Sequence, residues 1–345
     1  MKALVKYERG PGNMEIRDVP EPEVKPGEVK IQVHATGICG SDLHIYHDDA
    51  VVPISPPVIT GHEFAGVVAE VGEGITEWKA GDRVVSETAY DVCGACEPCM
   101  TGFYNLCPQR KTLGFWANGA FTSYTVVPAH RVHALPDNVD FVAGSLMEPL
   151  ACVVHAALEL TQITTGDLVL VSGPGAIGLS AIQIAKAQGA RVIAAGTDMD
   201  LKRLELAREL GADMLINVMQ RHLLDEVNTL TQGRGVDIVL ECSGSAQAAN
   251  DAVLAVKRRG QYTQIGLFGK PITIDMEKMC FKEIRFIGSL ASKWTSWEKA
   301  LQLVAQGRVQ LKPLVSDVLP IRDWETAFQM FEDKQGLKIV LTPEN

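Results

Sequence analysis

The stretch "DLVLVSGPGAIGLSAIQIAKAQG", residues 167–189, predicts a β-strand, a tight turn and an amphipathic helix in immediate succession. Its turn carries Gly173, Gly175 and Gly178 in the spacing G-x-G-x-x-G. The first glycine permits the turn, the second lets the backbone approach a pyrophosphate, and the third lets the helix pack closely on the strand. The helix N-terminus offers free N–H groups to phosphates. The stretch therefore predicts a dinucleotide-binding unit rather than a turn without a ligand.

The next strand is followed by an acidic residue at the distance that such a unit requires. Asp198 lies 20 residues beyond Gly178, where a carboxylate can bind the adenosine ribose hydroxyls of NAD. Asp200 is close to it, and Lys202 and Arg203 could favour the 2′-phosphate of NADP, so NADP is the alternative cofactor. The predicted cofactor-binding residues are Gly173, Gly175, Ala176, Ile177, Gly178, Asp198 and Arg203.

The surrounding sequence predicts an α/β protein in which a Rossmann domain is inserted into a β-rich domain. Strand-like and helix-like segments alternate through residues 147–285, as in βαβ units with a parallel sheet. Residues 1–146 are rich in β-branched runs and contain seven prolines between positions 11 and 57. The pattern becomes mixed again in residues 286–345. We expect these last residues to return to the first domain.

The composition of the chain limits the kinds of molecule that we expect it to bind and the cell compartment in which we expect it. The 345-residue chain has a formal net charge of −10, which makes nucleic acid an unexpected partner. No apolar run reaches the roughly 18 residues of a membrane span, so we expect no membrane association. The N-terminus, "MKALVKYERGPG", lacks the apolar core of a signal peptide. These features predict a cytoplasmic protein with reduced thiols.

Four of the eight cysteines fall in one short stretch, "CGACEPCMTGFYNLC". Cys93, Cys96, Cys99 and Cys107 have the spacing C-x2-C-x2-C-x7-C, which is typical of zinc ligands. Four thiolates complete a tetrahedral zinc shell and leave no position for substrate or water. The stretch therefore predicts a structural zinc site in a lobe at about residues 90–110.

A catalytic metal needs other ligands and an open position. "GICGSDLH" supplies Cys39, and "GHEFAG" supplies His62 and Glu63. Glu148 lies at the junction with the βαβ region, where a cleft between domains is expected. Each residue alone is weak evidence, because a lone cysteine or histidine is usually structural. Whether Glu63 or Glu148 completes the catalytic shell stays open.

The motifs together resemble one known family. "CGSDLH", "GHEFAGVV", "GDRV", "CGACEPCMTGFYNLC", "GAFTSY", "EPLA", "SGPGAIG" and "QGLKIVL" follow one another along nearly the whole chain. This sequence resembles the zinc-dependent medium-chain dehydrogenases of the alcohol dehydrogenase superfamily, above all the sorbitol/L-iditol and threonine dehydrogenase branches. The resemblance implies a GroES-like catalytic domain and two zinc ions per chain. It also implies a catalytic zinc on Cys39, His62 and Glu63, with Glu148 beside it.

The resemblance further implies a mechanism and an assembly. In such enzymes zinc acts as a Lewis acid on the substrate hydroxyl, and NAD accepts the hydride. Ser41 is expected to take the proton and His44 to pass it outward, with His47 as a rival relay. The resemblance implies a homotetramer or homodimer.

The expected substrate is a small-molecule alcohol, in particular a polyol, sugar alcohol or small diol oxidised at a secondary carbon. Sorbitol dehydrogenases carry an Arg-Tyr pair where this chain reads "GSLASKWTSW", so Lys293 is the nearest cation and sorbitol itself is not assured. L-Threonine 3-dehydrogenase is an alternative. A non-enzymatic protein that binds NAD and zinc, and a nucleic-acid-binding zinc module, are rivals from other classes.

Overall fold

The computed structural model describes residues 1–50 and 52–344, and the chain divides into two compact units. The first unit comprises Met1–Ala151, Ser292–Ala305 and Leu311–Asn345, and the second comprises Cys152–Ala291 and Gln306–Gln310. The predicted domain limits, 1–146, 147–285 and 286–345, stay a prediction. In the part of the chain that the structure describes, no helix has the length and apolar character needed to cross a membrane.

Strands occur along the whole chain. They are β1 (Lys2–Lys6), β2 (Met14–Asp18), β3 (Glu28–Gly37), β4 (Val58–Ile59), β5 (Glu63–Val71), β6 (Arg83–Ser86), β7 (Ala89–Asp91), β8 (Lys111–Thr112), β9 (Tyr124–Pro128), β10 (Val132–Ala134), β11 (Leu168–Ser172), β12 (Arg191–Gly196), β13 (Met214–Asn217), β14 (Val236–Glu241), β15 (Val256–Gln264), β16 (Arg285–Gly288), β17 (Val315–Pro320) and β18 (Lys338–Thr342).

Longer α-helices are concentrated in the second half of the chain. The α-helices are α1 (Gly40–His47), α2 (Glu97–Met100), α3 (Phe141–Gly144), α4 (Met147–Val154), α5 (Ala176–Ala187), α6 (Leu201–Glu209), α7 (Leu223–Thr231), α8 (Ala246–Ala255), α9 (Met276–Lys282), α10 (Trp294–Ala305) and α11 (Trp324–Glu332). One π-helical segment, His155–Leu160, directly follows α4.

The second unit is built on a parallel sheet of six strands in the order β13-β12-β11-β14-β15-β16. Its central strand β11 reads LVLVS and is buried throughout, because a parallel sheet covered on both faces needs a continuous apolar run. The order reverses at β11, and this is the arrangement of a doubly wound dinucleotide-binding sheet. The α/β prediction with a Rossmann domain is confirmed.

The glycine turn between β11 and α5 is shaped by two close approaches. Gly173 has φ +88°, and a Cβ there would lie 2.7 Å from Cα of Ser243. A Cβ on Gly178 would lie 2.0 Å from the carbonyl oxygen of Gly173, so only glycine lets the helix sit against the turn. A Cβ on Gly175, by contrast, would meet nothing within 4 Å. The space in front of Gly175 is the space that a phosphate needs.

The first unit contains a three-stranded sheet, β2-β1-β4, and a seven-stranded sheet that combines five strands of the first half of the chain with its last two strands. The main path of the seven-stranded sheet runs β10-β6-β5-β3-β18-β17, and β9 pairs with β3 on the edge opposite β5. The strand β18 pairs antiparallel with β3 through Val340 and Gly37, and parallel with β17. Gly37 also lies opposite Glu63 in the β3–β5 register. The last strand of the chain is thereby separated only by β3 from the start of β5, where the predicted metal ligands lie.

Adding a methyl group should have different effects on stability at Gly178 and at Gly175. In Gly178→Ala the added methyl group clashes with the carbonyl oxygen of Gly173, so we expect the free energy of unfolding to fall by about 1–3 kcal/mol. At Gly175 the angle φ is −74° and a Cβ would meet no atom within 4 Å. The stability of Gly175→Ala therefore stays within about 0.5 kcal/mol of the parent. Urea unfolding of both variants measures the difference. Equal stabilities would show that the close approach does not constrain the turn.

Candidate functional site

The first candidate metal site consists of Cys39, His62 and Glu63. One ligand atom from each of these residues lies within 4.8 Å of the other two. Cys39 is the N-cap of α1 and lies two residues after the end of β3, and Glu63 begins β5. His62 and Glu63 are buried, with 6% and 0% of their surface exposed. A thiol, an imidazole and a carboxylate are the donor types that zinc takes in sites with three protein ligands.

Asp42 orients this group, although the sequence analysis did not single it out. Its Oδ2 accepts a hydrogen bond of 2.9 Å from the Cys39 amide. Its Oδ1 lies 3.6 Å from Nδ1 of His62, and both of these buried atoms lack a hydrogen bond. The carboxylate therefore faces Nδ1 and leaves Nε2 to bind a metal, as in carboxylate–histidine–metal arrangements. Asp42 lies three residues after Cys39 in a capping box, which was the available sequence signal.

The charge of His62 reflects its neighbours. Burial is the largest effect on this imidazole and lowers its pKa, but the carboxylate of Asp42 and the thiol of Cys39 outweigh burial. The pKa of His62 therefore lies well above its usual value. Asp42 and Cys39 thus favour positive charge on the imidazole, and a metal ion that binds His62 must displace this proton.

Lys338 is a second residue that the sequence analysis missed. It is 4% exposed, and its Nζ contacts both carboxylate oxygens of Glu63 and the carbonyl oxygen of Ile38 at 2.9 Å. Burial lowers the pKa of Lys338, but Glu63, Cys39 and Glu148 together raise it above the usual value. The sequence held only the motif "QGLKIVL" as a signal, because 275 residues separate Lys338 from Glu63.

Glu148 lies near this group without joining it. It stands in the first turn of α4, is 8% exposed, and its charge acts on Lys338. The set of ligand atoms within 4.8 Å contains Glu63 and not Glu148. Both carboxylates thus lie close to Lys338, with Glu63 in direct contact with it. This arrangement favours Glu63 as the nearer metal ligand.

The two predicted relay residues are placed differently. Oγ of Ser41 lies 3.4 Å from Nε2 of His62, so the structure brings Ser41 to the metal-binding group. His44 lies one turn further along α1 with half of its side chain exposed, and its Nδ1 is 2.8 Å from Asp49. The rival His47 pairs with Glu332 at 2.9 Å. Ser41 is thus inside the group, and His44 lies towards solvent on the same helix.

The second candidate metal site contains all four predicted cysteines. Cys93, Cys96, Cys99 and Cys107 form one group whose sulfur atoms lie within 4.8 Å of one another. Cys93 Sγ is 3.9 Å from Cys99 Sγ and 3.6 Å from Cys107 Sγ, and all four thiols are free. A tetrahedron with zinc–sulfur bonds of about 2.3 Å has edges of about 3.8 Å, so the group fits a closed zinc site.

Backbone amide groups stabilise the thiolate form of Cys93, the first of these cysteines. The amide groups of Ala95 and then Cys96 lower the pKa of Cys93 to about 6. Burial raises the pKa of Cys99 to about 12. Zinc binds thiolates, so metal binding at this group releases protons.

A partly buried polar network fixes the cysteine lobe to the rest of the first unit. Tyr104, between Cys99 and Cys107, donates a hydrogen bond of 2.6 Å to Glu87 and accepts one of 2.5 Å from the Trp294 amide. Arg131 lies 4.0 Å over the Tyr104 ring and 3.5 Å from Glu87. The lobe therefore contacts the first residue of α10 directly.

The predicted cofactor residues surround the start of α5 and the end of β12. Ala176, Ile177 and Gly178 form the first turn of α5, so their amides have no acceptor within the helix. Asp198 begins a short turn after β12, and its Oδ1 accepts hydrogen bonds from Asn217 and Gln220. Arg203 lies 3.4 Å from Asp200. The glycine turn and Asp198 thus follow two neighbouring parallel strands.

An open Cys/His/Glu group, a closed group of four cysteines and a Rossmann glycine turn define a class of protein. It is a zinc-dependent oxidoreductase that uses a nicotinamide dinucleotide.

Comparison with known proteins agrees with this class. Residues 25–137 match the family described as alcohol dehydrogenase GroES-like domain, and residues 176–306 match zinc-binding dehydrogenase. The chain is 43% identical to a sorbitol dehydrogenase of Halalkalibacterium halodurans, with 99% of each chain covered. It is 38% identical to a D-arabitol-phosphate dehydrogenase of Enterococcus avium, covering 99% of this chain and 97% of the relative. A crystal structure of 2R,3R-butanediol dehydrogenase from Bacillus subtilis superposes with a TM-score of 0.88 at 29% identity, covering 99% of each chain.

The chain therefore belongs to the zinc-dependent medium-chain dehydrogenases of the alcohol dehydrogenase superfamily. The predictions of the family, of the GroES-like and Rossmann fold and of a dehydrogenase are confirmed. Zinc and a nicotinamide dinucleotide are its cofactors, and small-molecule alcohols are the substrates of the family.

Removing the buried lysine tests the ion pair beside the first metal site. Lys338→Met leaves the Glu63 carboxylate buried without its partner, so we expect the free energy of unfolding to fall by about 3–5 kcal/mol. Adding Glu63→Gln removes the charge and restores most of the loss. Urea unfolding of the single and double variants measures both effects. If Lys338→Met alone keeps the parental stability, the pair does not hold this part of the fold.

Removing one thiol tests the closed metal site. Cys96→Ser leaves three thiols, so we expect one zinc fewer per chain and a lower Tm, because metal binding at a closed site contributes folding energy. Cys280→Ser changes an exposed cysteine outside both groups and serves as the matched control. Metal analysis and thermal unfolding give the two readouts. A Cys96→Ser protein with unchanged zinc content and Tm contradicts a structural zinc at this group.

Proposed function

We propose that this protein oxidises a secondary hydroxyl of a polyol, sugar alcohol or small vicinal diol to a ketone, with NAD as hydride acceptor. The observation that carries the proposal is the Cys39–His62–Glu63 group, in which His62 and Glu63 are buried, with Glu148 close by. When bound there, zinc would act as a Lewis acid on the substrate hydroxyl, and NAD would accept the hydride.

The residues of the chain itself supply the remaining functions. Asp42 faces Nδ1 of His62 and so fixes the imidazole with Nε2 towards the metal position. Ser41, 3.4 Å from that imidazole, is the hydroxyl that takes the substrate proton. His44 lies about one turn further along α1 than Ser41, is exposed, and can release the proton to water. Phe115 is buried, its ring centroid lies 5.6 Å from that of His62, and it helps to exclude water from this group.

A substrate with adjacent hydroxyl groups fits the charges around the site. Glu63 and Glu148 are buried carboxylates near one lysine, and carboxylates accept hydrogen bonds from hydroxyl groups better than thiolates do. The three reported relatives are named for sorbitol, D-arabitol phosphate and 2R,3R-butanediol. All three compounds carry a secondary hydroxyl next to a second hydroxyl. This shared chemistry supports a polyol or vicinal diol as the substrate.

The preference for NAD over NADP rests on the carboxylate of Asp198 and on the pairing of nearby arginines. Arg203 pairs with Asp200, Arg208 lies 2.6 Å from Glu205, and Arg221 lies 3.2 Å from Glu226. Cations that already have acidic partners bind a 2′-phosphate less strongly, and Asp198 repels it.

Two further proposals concern the cellular state. The four free thiols of the closed metal group support a reducing compartment, and we place the protein in the cytoplasm. We also propose a homotetramer or homodimer, by analogy with such dehydrogenases. Light scattering of the purified protein measures the assembly.

A substrate panel tests the reaction class. Sorbitol, xylitol, 2,3-butanediol, D-arabitol phosphate, L-threonine, ethanol and benzyl alcohol are each mixed with enzyme and NAD, and NADH absorbance is followed. We expect kcat/KM for at least one polyol or diol to exceed that for the primary alcohols by 100-fold or more, on the order of 3 kcal/mol. Efficient turnover of ethanol or benzyl alcohol, with none of any polyol or diol, would overturn the proposal.

The catalytic group is tested by Cys39→Ala. We expect turnover to fall by a factor of about 1,000 or more, because one of three metal ligands is lost, while NADH binding persists. Cys280→Ala, at the exposed cysteine, should retain parental turnover. Steady-state rates and NADH fluorescence are the measurements. Parental turnover in Cys39→Ala would remove this group from the reaction.

A further inference from the structure

Asn217, which the sequence analysis did not single out, stands beside the predicted ribose ligand. It is the last residue of β13, is 8% exposed, and lies opposite Gly196 in the parallel β12–β13 register. Asp198 follows two residues after Gly196. Because neighbouring parallel strands end at the same edge of a sheet, the two side chains meet there. Nδ2 of Asn217 donates a hydrogen bond of 2.6 Å to Oδ1 of Asp198.

The orientation of the Asn217 amide is fixed by a second contact. Its Oδ1 accepts a hydrogen bond of 3.0 Å from the amide of Met219. With the oxygen held by a donor, the NH2 group must face Asp198. An aspartate at this position would place a second carboxylate against Asp198, and a leucine would supply no donor. The position therefore requires an amide in one orientation.

The backbone of Asn217 also holds the turn that brings a second hydrogen-bond donor, Gln220, to Asp198. Its carbonyl oxygen accepts hydrogen bonds from the amides of Gln220 and Arg221, at 3.1 and 2.9 Å. Nε2 of Gln220 then donates to the same oxygen of Asp198 at 3.1 Å. Both amide side chains thus bind Oδ1, and these two bonds leave Oδ2 for the hydroxyls of a ribose.

The other side of the Asp198 turn is fixed independently. The amide and the hydroxyl of Thr197 both donate to Oδ2 of Asp200, at 3.0 and 2.9 Å. This capping box holds the backbone of the turn, whereas Asn217 holds the carboxylate that the turn presents. A change at Asn217 should therefore reorient one side chain without unfolding the turn.

We propose that Asn217 is a positioning residue for cofactor specificity: it orients the Asp198 carboxylate towards the adenosine ribose and so sets the preference for NAD. The inference rests on the proposed NAD-dependent function. A carboxylate held by two amides presents Oδ2 to two ribose hydroxyls, whereas a released carboxylate loses that geometry. The loss affects a ligand with a free 2′-hydroxyl more than one with a 2′-phosphate.

The test compares Asn217→Ala and Asn217→Asp with the parent, using the full-length enzyme and its best substrate. We expect KM for NAD to rise about tenfold in Asn217→Ala with kcat within about twofold, as for one lost charge-assisted hydrogen bond. KM for NADP changes little, so the NAD/NADP preference falls about tenfold. Asn217→Asp keeps the size of the side chain and the acceptor for Met219 but opposes Asp198, and its KM for NAD rises further.

A truncated cofactor separates positioning from a structural role. Nicotinamide mononucleotide lacks the adenosine ribose, so its KM should not change in either variant. Asn228→Ala removes an exposed amide on α7 and is the matched control, with parental constants expected for every cofactor. An equal loss with the mononucleotide, or an unchanged NAD/NADP preference in both variants, overturns the proposal.

Direct binding distinguishes failure of this inference from failure of the proposed function. NADH binding is measured by fluorescence without substrate. If the parent binds no NADH, the proposed function fails and this inference fails with it. If the parent binds NADH and both Asn217 variants bind it equally well, only the inference fails. If Asn217→Ala does not fold, the same comparison of NADH binding is made with Asn217→Asp alone, whose side chain has the same volume as that of the parent.

Discussion

The buried ion pair between Lys338 and Glu63 is the constraint on which the first unit depends. It joins the first residue of the last strand to the first residue of β5, and Lys338 also binds the carbonyl oxygen of Ile38, directly before Cys39. A buried lysine with a raised pKa is tolerated because carboxylates surround it. The pair thus connects the strand order to the metal ligands, because it holds the start of β18 against Glu63 and Ile38.

The two metal groups differ because their surroundings differ. Cys39, His62 and Glu63 offer three ligands of different kinds, backed by Asp42 and Lys338, which favours a metal ion with an open position. The four cysteines offer a complete shell of one kind in a lobe whose Tyr104 hydrogen-bonds Glu87 and Trp294. One group is therefore suited to reaction and the other to holding the fold together.

The sequence predicted those features that depend on local spacing. The glycine turn, the alternating strands and helices, and the cysteine lobe all follow from residues within about twenty positions of one another, where backbone geometry alone relates them. Lys338 and Asn217 could not be predicted in this way. Their partners are set by strand order and register, since β18 lies between β3 and β17, and β13 lies beside β12. Asp42 was within reach, because it caps the helix that Cys39 begins.

Zinc-edge anomalous diffraction from crystals of the active enzyme shows how many zinc ions each chain holds and where they bind. The assignment of two metal sites predicts two peaks per chain, one bonded to Cys39 Sγ and a nitrogen of His62, and one enclosed by the four cysteine sulfurs. A single peak within the four cysteines of a fully active preparation would contradict it, because the reaction would then proceed without a metal at Cys39 and His62.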